Sequence, residues 1–75
     1  MPYDSNEQLP PSVRSHLPWH AQDIFRQAFN HAFDEHYGDE AACFRIAWAA
    51  VKRHYEKVNG EWVPRERYDG WGGRS

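Results

Sequence analysis

Histidine and carboxylate pairs four residues apart are the first places where this chain could build chemistry. His31 and Glu35 have that spacing, as do His16 and His20. On a helix such residues share a face and can close on one metal ion. Pro18, however, stands between His16 and His20 and breaks the helical register. Neither pair is followed by a third ligand on its face, so both read as surface or half-buried side chains. Asp34, Glu35, Asp39 and Glu40 flank Gly38 as a short acidic cluster. A calcium loop needs alternating oxygen ligands over about twelve residues, closing on a glutamate. The spacing here differs, and helix-end charge and capping explain the cluster.

Catalytic material is sparse. Cys43 is the one thiol, and the serine hydroxyls are Ser5, Ser12, Ser15 and Ser75. Cys43 falls on an apolar arc, where a thiol is ordinarily inert packing. A single cysteine forms no internal disulfide, which points to a reduced, cytoplasmic compartment. Gly70, Gly72 and Gly73 come at the end of the chain rather than before a helix, so no phosphate loop is expected. The reading is of a protein that is not an enzyme and carries no cofactor and no metal. Four cations, Arg45, Lys52, Arg53 and Lys57, line the exposed arc of the last predicted helix. They form a candidate surface for a protein partner or for phosphate contacts. Glu56 interrupts the stripe, and an ordinary solvated face is the competing reading. The formal charge of -2 argues against non-specific polyanion binding.

The elements that position these groups follow from proline, glycine and apolar spacing. Residues 1–10 read as an extended arm, with Tyr3 and Leu9 as its apolar anchors. Pro11 to Leu17 holds one or two helical turns, placing Val13 and Leu17 inward together. Pro18 opens a long helix that runs to about Tyr37. Its apolar arc carries Ala21, Ile24, Phe25, Ala28, Phe29, Ala32 and Phe33, with Asp23, Gln27, Asn30 and Asp34 opposite. Gly38 supplies a stop and Asp39 a cap. The second long helix is expected from Glu40 to Lys57. Its arc holds Cys43, Phe44, Ile46, Ala47, Trp48, Ala50, Val51, His54, Tyr55 and Val58, too wide for one neighbour to cover. That width predicts a central helix, flanked by the aromatic helix and by the short helix or the arm. Asn59-Gly60 ends the helix or turns the chain. Glu61-Trp62-Val63 is extended and is expected to pair with the arm near Tyr3 as a tiny two-stranded piece.

The predicted fold is mainly α: a small compact helical domain of one short and two long helices, with an N-terminal arm and that small strand pairing near the C-terminus. The core is expected at Ile24, Phe25, Ala28, Phe29, Phe44, Ala47, Trp48, Val51 and Tyr55. Twelve aromatic residues in 75 give so short a chain a large apolar area to bury. No run reaches the roughly 18 apolar residues that cross a bilayer, and the first residues show no secretory signal.

In order and spacing, Met1-Pro2-Tyr3, Leu9-Pro10, Val13, Leu17-Pro18, His20 to Phe25, Ala28-Phe29-Asn30, Ala47 to Lys52, Gly60 and Trp62 resemble the ChaB family of small bacterial proteins. The resemblance covers nearly all of residues 1–63 and implies one ChaB-like helical domain there, with 64–75 a flexible, polar, Gly-rich tail. Tyr68 and Trp71 in that tail are read as able to dock. Two features depart from the family pattern: a short connection between the long helices, and Phe44 where polar residues or histidine are common. The resemblance implies a non-enzymatic regulatory or adaptor protein for sodium/calcium–proton antiport. It would act through protein contacts, on a partner of unknown identity such as a membrane antiporter reached from the cytoplasm. Viral relatives suggest the alternative, a nucleic-acid-associated module using the basic stripe. The family carries no established catalytic or binding residue to transfer.

Overall fold

Two Leu-Pro pairs set the first boundaries. In the computed structural model, which describes residues 2–65, a 3₁₀ turn (Asn6–Gln8) leads to α1 (Pro11–Arg14), α2 (Trp19–Glu35) and α3 (Glu40–His54). The strands β1 (Tyr55–Val58) and β2 (Glu61–Pro64) follow. A residue before proline is held away from the helical region, and Leu9 and Leu17 are both buried at these bends. Their carbonyls are served by side chains five residues on. Arg14 Nε donates to the Leu9 carbonyl at 3.1 Å, and Gln22 Nε2 to the Leu17 carbonyl at 2.8 Å. Pro11 occupies the first turn of α1, and the Pro18 carbonyl accepts the Gln22 amide at the start of α2.

The two long helices form an antiparallel hairpin. After α2, Gly38 takes φ +87°, a value that side chains rarely tolerate. Asp39 then caps α3, its carboxylate accepting the Ala42 amide at 3.1 Å. The contacts run in opposite directions along the pair: Phe29 meets Phe44 at 5.0 Å between ring centroids, and Phe25 meets Trp48 at 5.2 Å. Both are edge-on, the geometry that the ring quadrupole favours. Phe25, Phe29, Ala47 and Val51 are buried, while Ile24, Ala28, Phe44 and Trp48 pack against them partly exposed.

The end of the second long helix departs from the sequence reading. It stops at His54 rather than Lys57, and Tyr55–Val58 pairs antiparallel with Glu61–Pro64. The strand pair exists, but the partner of Glu61-Trp62-Val63 is β1 and not the arm. Asn59 and Gly60 explain the change, with φ of +53° and +83°. Positive φ at both central residues is what a two-residue type I′ hairpin loop requires. Tyr55 stays buried after leaving the helix, and Trp62 reaches over Trp48 at 5.8 Å. Val58 and Ile46, expected on the apolar arc, are 44% and 38% exposed.

The central element is therefore α2. The 3₁₀ turn, α1 and α3 all pack on it, and between Ala21 and Phe33 only Gln27 and His31 are exposed. Asn30, expected on the polar face, is buried there. Its side chain mimics a strand neighbour for the arm: Oδ1 accepts the Tyr3 amide at 3.2 Å, and Nδ2 donates to the Tyr3 carbonyl at 2.8 Å. The Tyr3 ring rests on Phe29 at 5.0 Å. At the other end, Pro64 belongs to β2 and the Arg65 amide donates to the His54 carbonyl at 3.0 Å. Pro64 and Arg65 thus belong to the folded body. Residues 66–75, with Tyr68 and Trp71, lie outside the described residues.

Phe25→Ala is expected to cost about 3–5 kcal/mol, since it opens a cavity in the helix–helix seam. Asn30→Ala leaves the Tyr3 amide and carbonyl without their partner and is expected to cost about 1–3 kcal/mol. Urea melts followed by tryptophan fluorescence measure both. An Asn30→Ala protein as stable as the parent would show that the arm is held by other means.

Candidate functional site

The exposed face of α3 is built from residues that the apolar seam leaves outside. Turning 100° per residue places Arg45, Ala49 and Lys52 along its middle, with Ile46 and Arg53 at one side. All five are exposed. Among the described residues, Arg45, Lys52 and Arg53 join no ion pair. Lys57 was expected to continue this stripe on the helix. It lies instead on β1, with its ammonium 5.8 Å from the centre of the Trp62 ring. The structure thus groups three of the four sequence candidates on one helix face and puts the fourth on the adjoining hairpin.

Arg65 is the residue that sequence reasoning missed. Its Nε donates to the Lys52 carbonyl at 2.7 Å, its amide serves the His54 carbonyl, and its guanidinium lies 3.5 Å from Glu56. It therefore satisfies carbonyls that the last turn of α3 leaves without helical partners. The same ion pair draws Glu56 toward Arg65. The detectable signal was an arginine just beyond a Trp-Val-Pro strand. Only the hairpin brings it back to the helix.

Formal charge is separated along the folded chain. Residues 2–40 carry two basic and seven acidic side chains, a formal -5. Residues 41–65 carry five basic and two acidic, a formal +3. Because the first stretch builds the arm, α1 and α2, and the second most of α3 and the hairpin, the net charge of -2 conceals a cationic face on one layer. Surface potential follows that local arrangement rather than the sum.

The other sequence candidates occupy separate surroundings. His31 Nε2 is 3.4 Å from Glu35 Oε2 on the outer side of α2, both strongly exposed. His16 Nδ1 contacts the Ser12 carbonyl at 2.6 Å, whereas the His20 ring lies beside Tyr55. No group of three His, Cys, Asp or Glu among the described residues is placed to hold a metal ion. An open groove of about 360 Å³ lies between the Ser15–Pro18 bend and the hairpin residues Gly60, Glu61 and Trp62. No helix among the described residues is long and apolar enough to cross a membrane.

Comparison with known proteins gives a consistent family. The family model described as ChaB matches residues 9–65. Proteins named "Putative cation transport regulator ChaB" from Escherichia coli strain K12 and Shigella flexneri are each 45% identical over 67 residues, covering 76% of this chain and 87% of the relative. The solution structure of a protein bearing the same name matches with a TM-score of 0.73 and 39% identity, over 87% of this chain and 100% of that one.

Cys43 provides a test of the packing beneath this face. Burial pushes its thiol pKa up, and Asp39 and Glu40 add to the shift. The folded thiol holds its proton more tightly than the unfolded one. Its contribution to stability is therefore complete below the ordinary thiol range and is lost as pH rises through that range and beyond. Melting temperatures taken between about pH 8 and 10 should fall less steeply for Cys43→Ala than for the parent. In the native protein, iodoacetamide labelling should be limited by unfolding. Labelling as fast as a free thiol would show that Cys43 is accessible.

Proposed function

Since this chain belongs to the ChaB family, we propose that it regulates cation transport by contact with another protein, without catalysis. The setting is the cytoplasm and the process sodium/calcium–proton antiport, with the antiporter itself as the simplest partner. Relatives sharing most of the chain are named as regulators rather than enzymes. One observation carries the reading: the aromatic side chains close the seam between the long helices, while Arg45, Lys52, Arg53 and Lys57 stand exposed on one layer. Such a surface steers an acidic partner and fixes its register.

The formal +3 of residues 41–65 also supports a second reading, contact with nucleic-acid phosphates through the same side chains. Salt separates the two. Phosphate binding loses affinity steeply and log-linearly with ionic strength, in proportion to the contacts made.

The deciding experiment measures sodium–proton and calcium–proton exchange in everted membrane vesicles from the native host. Removing the gene is expected to alter exchange. The parent chain should restore it, and the folded R45E/K52E/R53E variant should not. Identical exchange in every strain would end the proposal. Retention of a DNA duplex at low salt, lost in the triple variant, would move the assignment to the second reading.

A further inference from the structure

The outer face of α3 has two properties that helix stability does not explain. Cations in the last turn of a helix ordinarily answer its dipole and its unpaired carbonyls. Here Arg65 already serves the Lys52 and His54 carbonyls. Arg45 is mid-helix, nearly two turns above Lys52, where the end of the dipole has no hold on it. Between Glu40 and Glu56 the chain has no carboxylate, so this face holds no intrahelical acidic partner for its cations. The second property is apolar: Ile46 is 38% exposed with exposed Ala49 beside it, and Ala41 is exposed on the far side of Arg45. Exposed apolar side chains interleaved with cations give a partner protein surface to bury as well as charge to pair.

We propose that this face seats one acidic amphipathic helix of the partner protein, which makes the inference dependent on the contact-regulator reading above. The occupant follows from charge and spacing. Arg45 and Lys52 are seven residues apart, so their Cα atoms rise by about 10.5 Å along one side of α3. A second helix with carboxylates seven residues apart presents the same repeat. Ala49, between Arg45 and Arg53 on one ridge, leaves a gap that a side chain of the incoming helix can enter, at the usual axis separation of about 8–10 Å. Ile46 then packs into the apolar stripe of the incoming helix. A phosphate backbone would use the cations but gain little from Ile46. The strip is one helix wide, and its size belongs with weak, transient contacts.

The test titrates the ¹⁵N-labelled full chain with a synthetic helical peptide carrying glutamates seven apart beside a leucine–alanine stripe. A scrambled peptide of the same composition and a DNA duplex of matched charge serve as comparisons. The expected result is saturable shifts on the amides of Ala41, Arg45, Ile46, Ala49, Lys52 and Arg53. The scrambled peptide should bind about tenfold more weakly or worse, a difference of about 1.4 kcal/mol. Ala49→Glu, at an exposed position, should abolish binding while leaving the melting temperature unchanged. No saturable binding, shifts centred on α2 or the hairpin, or equal affinity for the scrambled peptide or the duplex would each overturn the proposal. Peptide binding on this face with unaltered antiport would reject only the transport reading. Altered antiport without peptide binding would reject only the helix-docking face.

Discussion

The packing of Phe25 and Phe29 against Phe44 and Trp48, edge-on or tilted, is the interaction on which the fold rests. These rings span the seam between α2 and α3, and most other buried groups are arranged around it. Small domains bury a smaller fraction of their surface than large ones, so each aromatic contact carries more of the stability. Val13 of α1 and Leu17 of the bend that follows pack against the seam, and Trp62 extends it by a tilted contact with Trp48. The two-stranded hairpin, marginal by itself, gains its stability from that indole and from buried Tyr55.

Polar side chains then attach the remaining backbone to this seam. Asn30 holds both polar groups of Tyr3, and buried Asn6 accepts from Arg26 Nε at 2.7 Å and donates to the Trp19 carbonyl at 3.4 Å. Arg14 and Gln22 serve the carbonyls of Leu9 and Leu17 at the two Leu-Pro bends. Arg65 closes the C-terminal end of α3. Buried polar groups of this kind are costly unless paired. Their pairing gives the arm, the bends and the hairpin single positions that apolar contact alone would leave loose.

The proposed contact uses the surface that this construction leaves open. The α2 side is largely covered by the arm, the 3₁₀ turn and α1, whereas α3 is covered chiefly by α2 and the hairpin. Its outer side is therefore available, and it belongs to the layer whose formal charge is positive. A contact made there leaves the aromatic seam undisturbed. Changes in surface charge there are thus expected to cost folding little.

Much of the helical frame was legible in the sequence because its causes are local. The Leu-Pro bends, the amphipathic run from Ala21 to Phe33, the Gly38 stop and the Asp39 cap each follow from backbone preference or 3.6-residue spacing. The four cations were visible too, but only three share a helix face. Periodicity carried the last helix through Tyr55 because a buried aromatic fits a strand as well as a helix. Two positive-φ residues at Asn59-Gly60 decided for the hairpin, moving Lys57 onto β1 and returning Arg65 to the end of α3. The burial of Asn30 and the separation of charge between layers depend on which distant segments meet. Spacing along the chain fixes which side chains share a face; only folding in three dimensions fixes what that face touches.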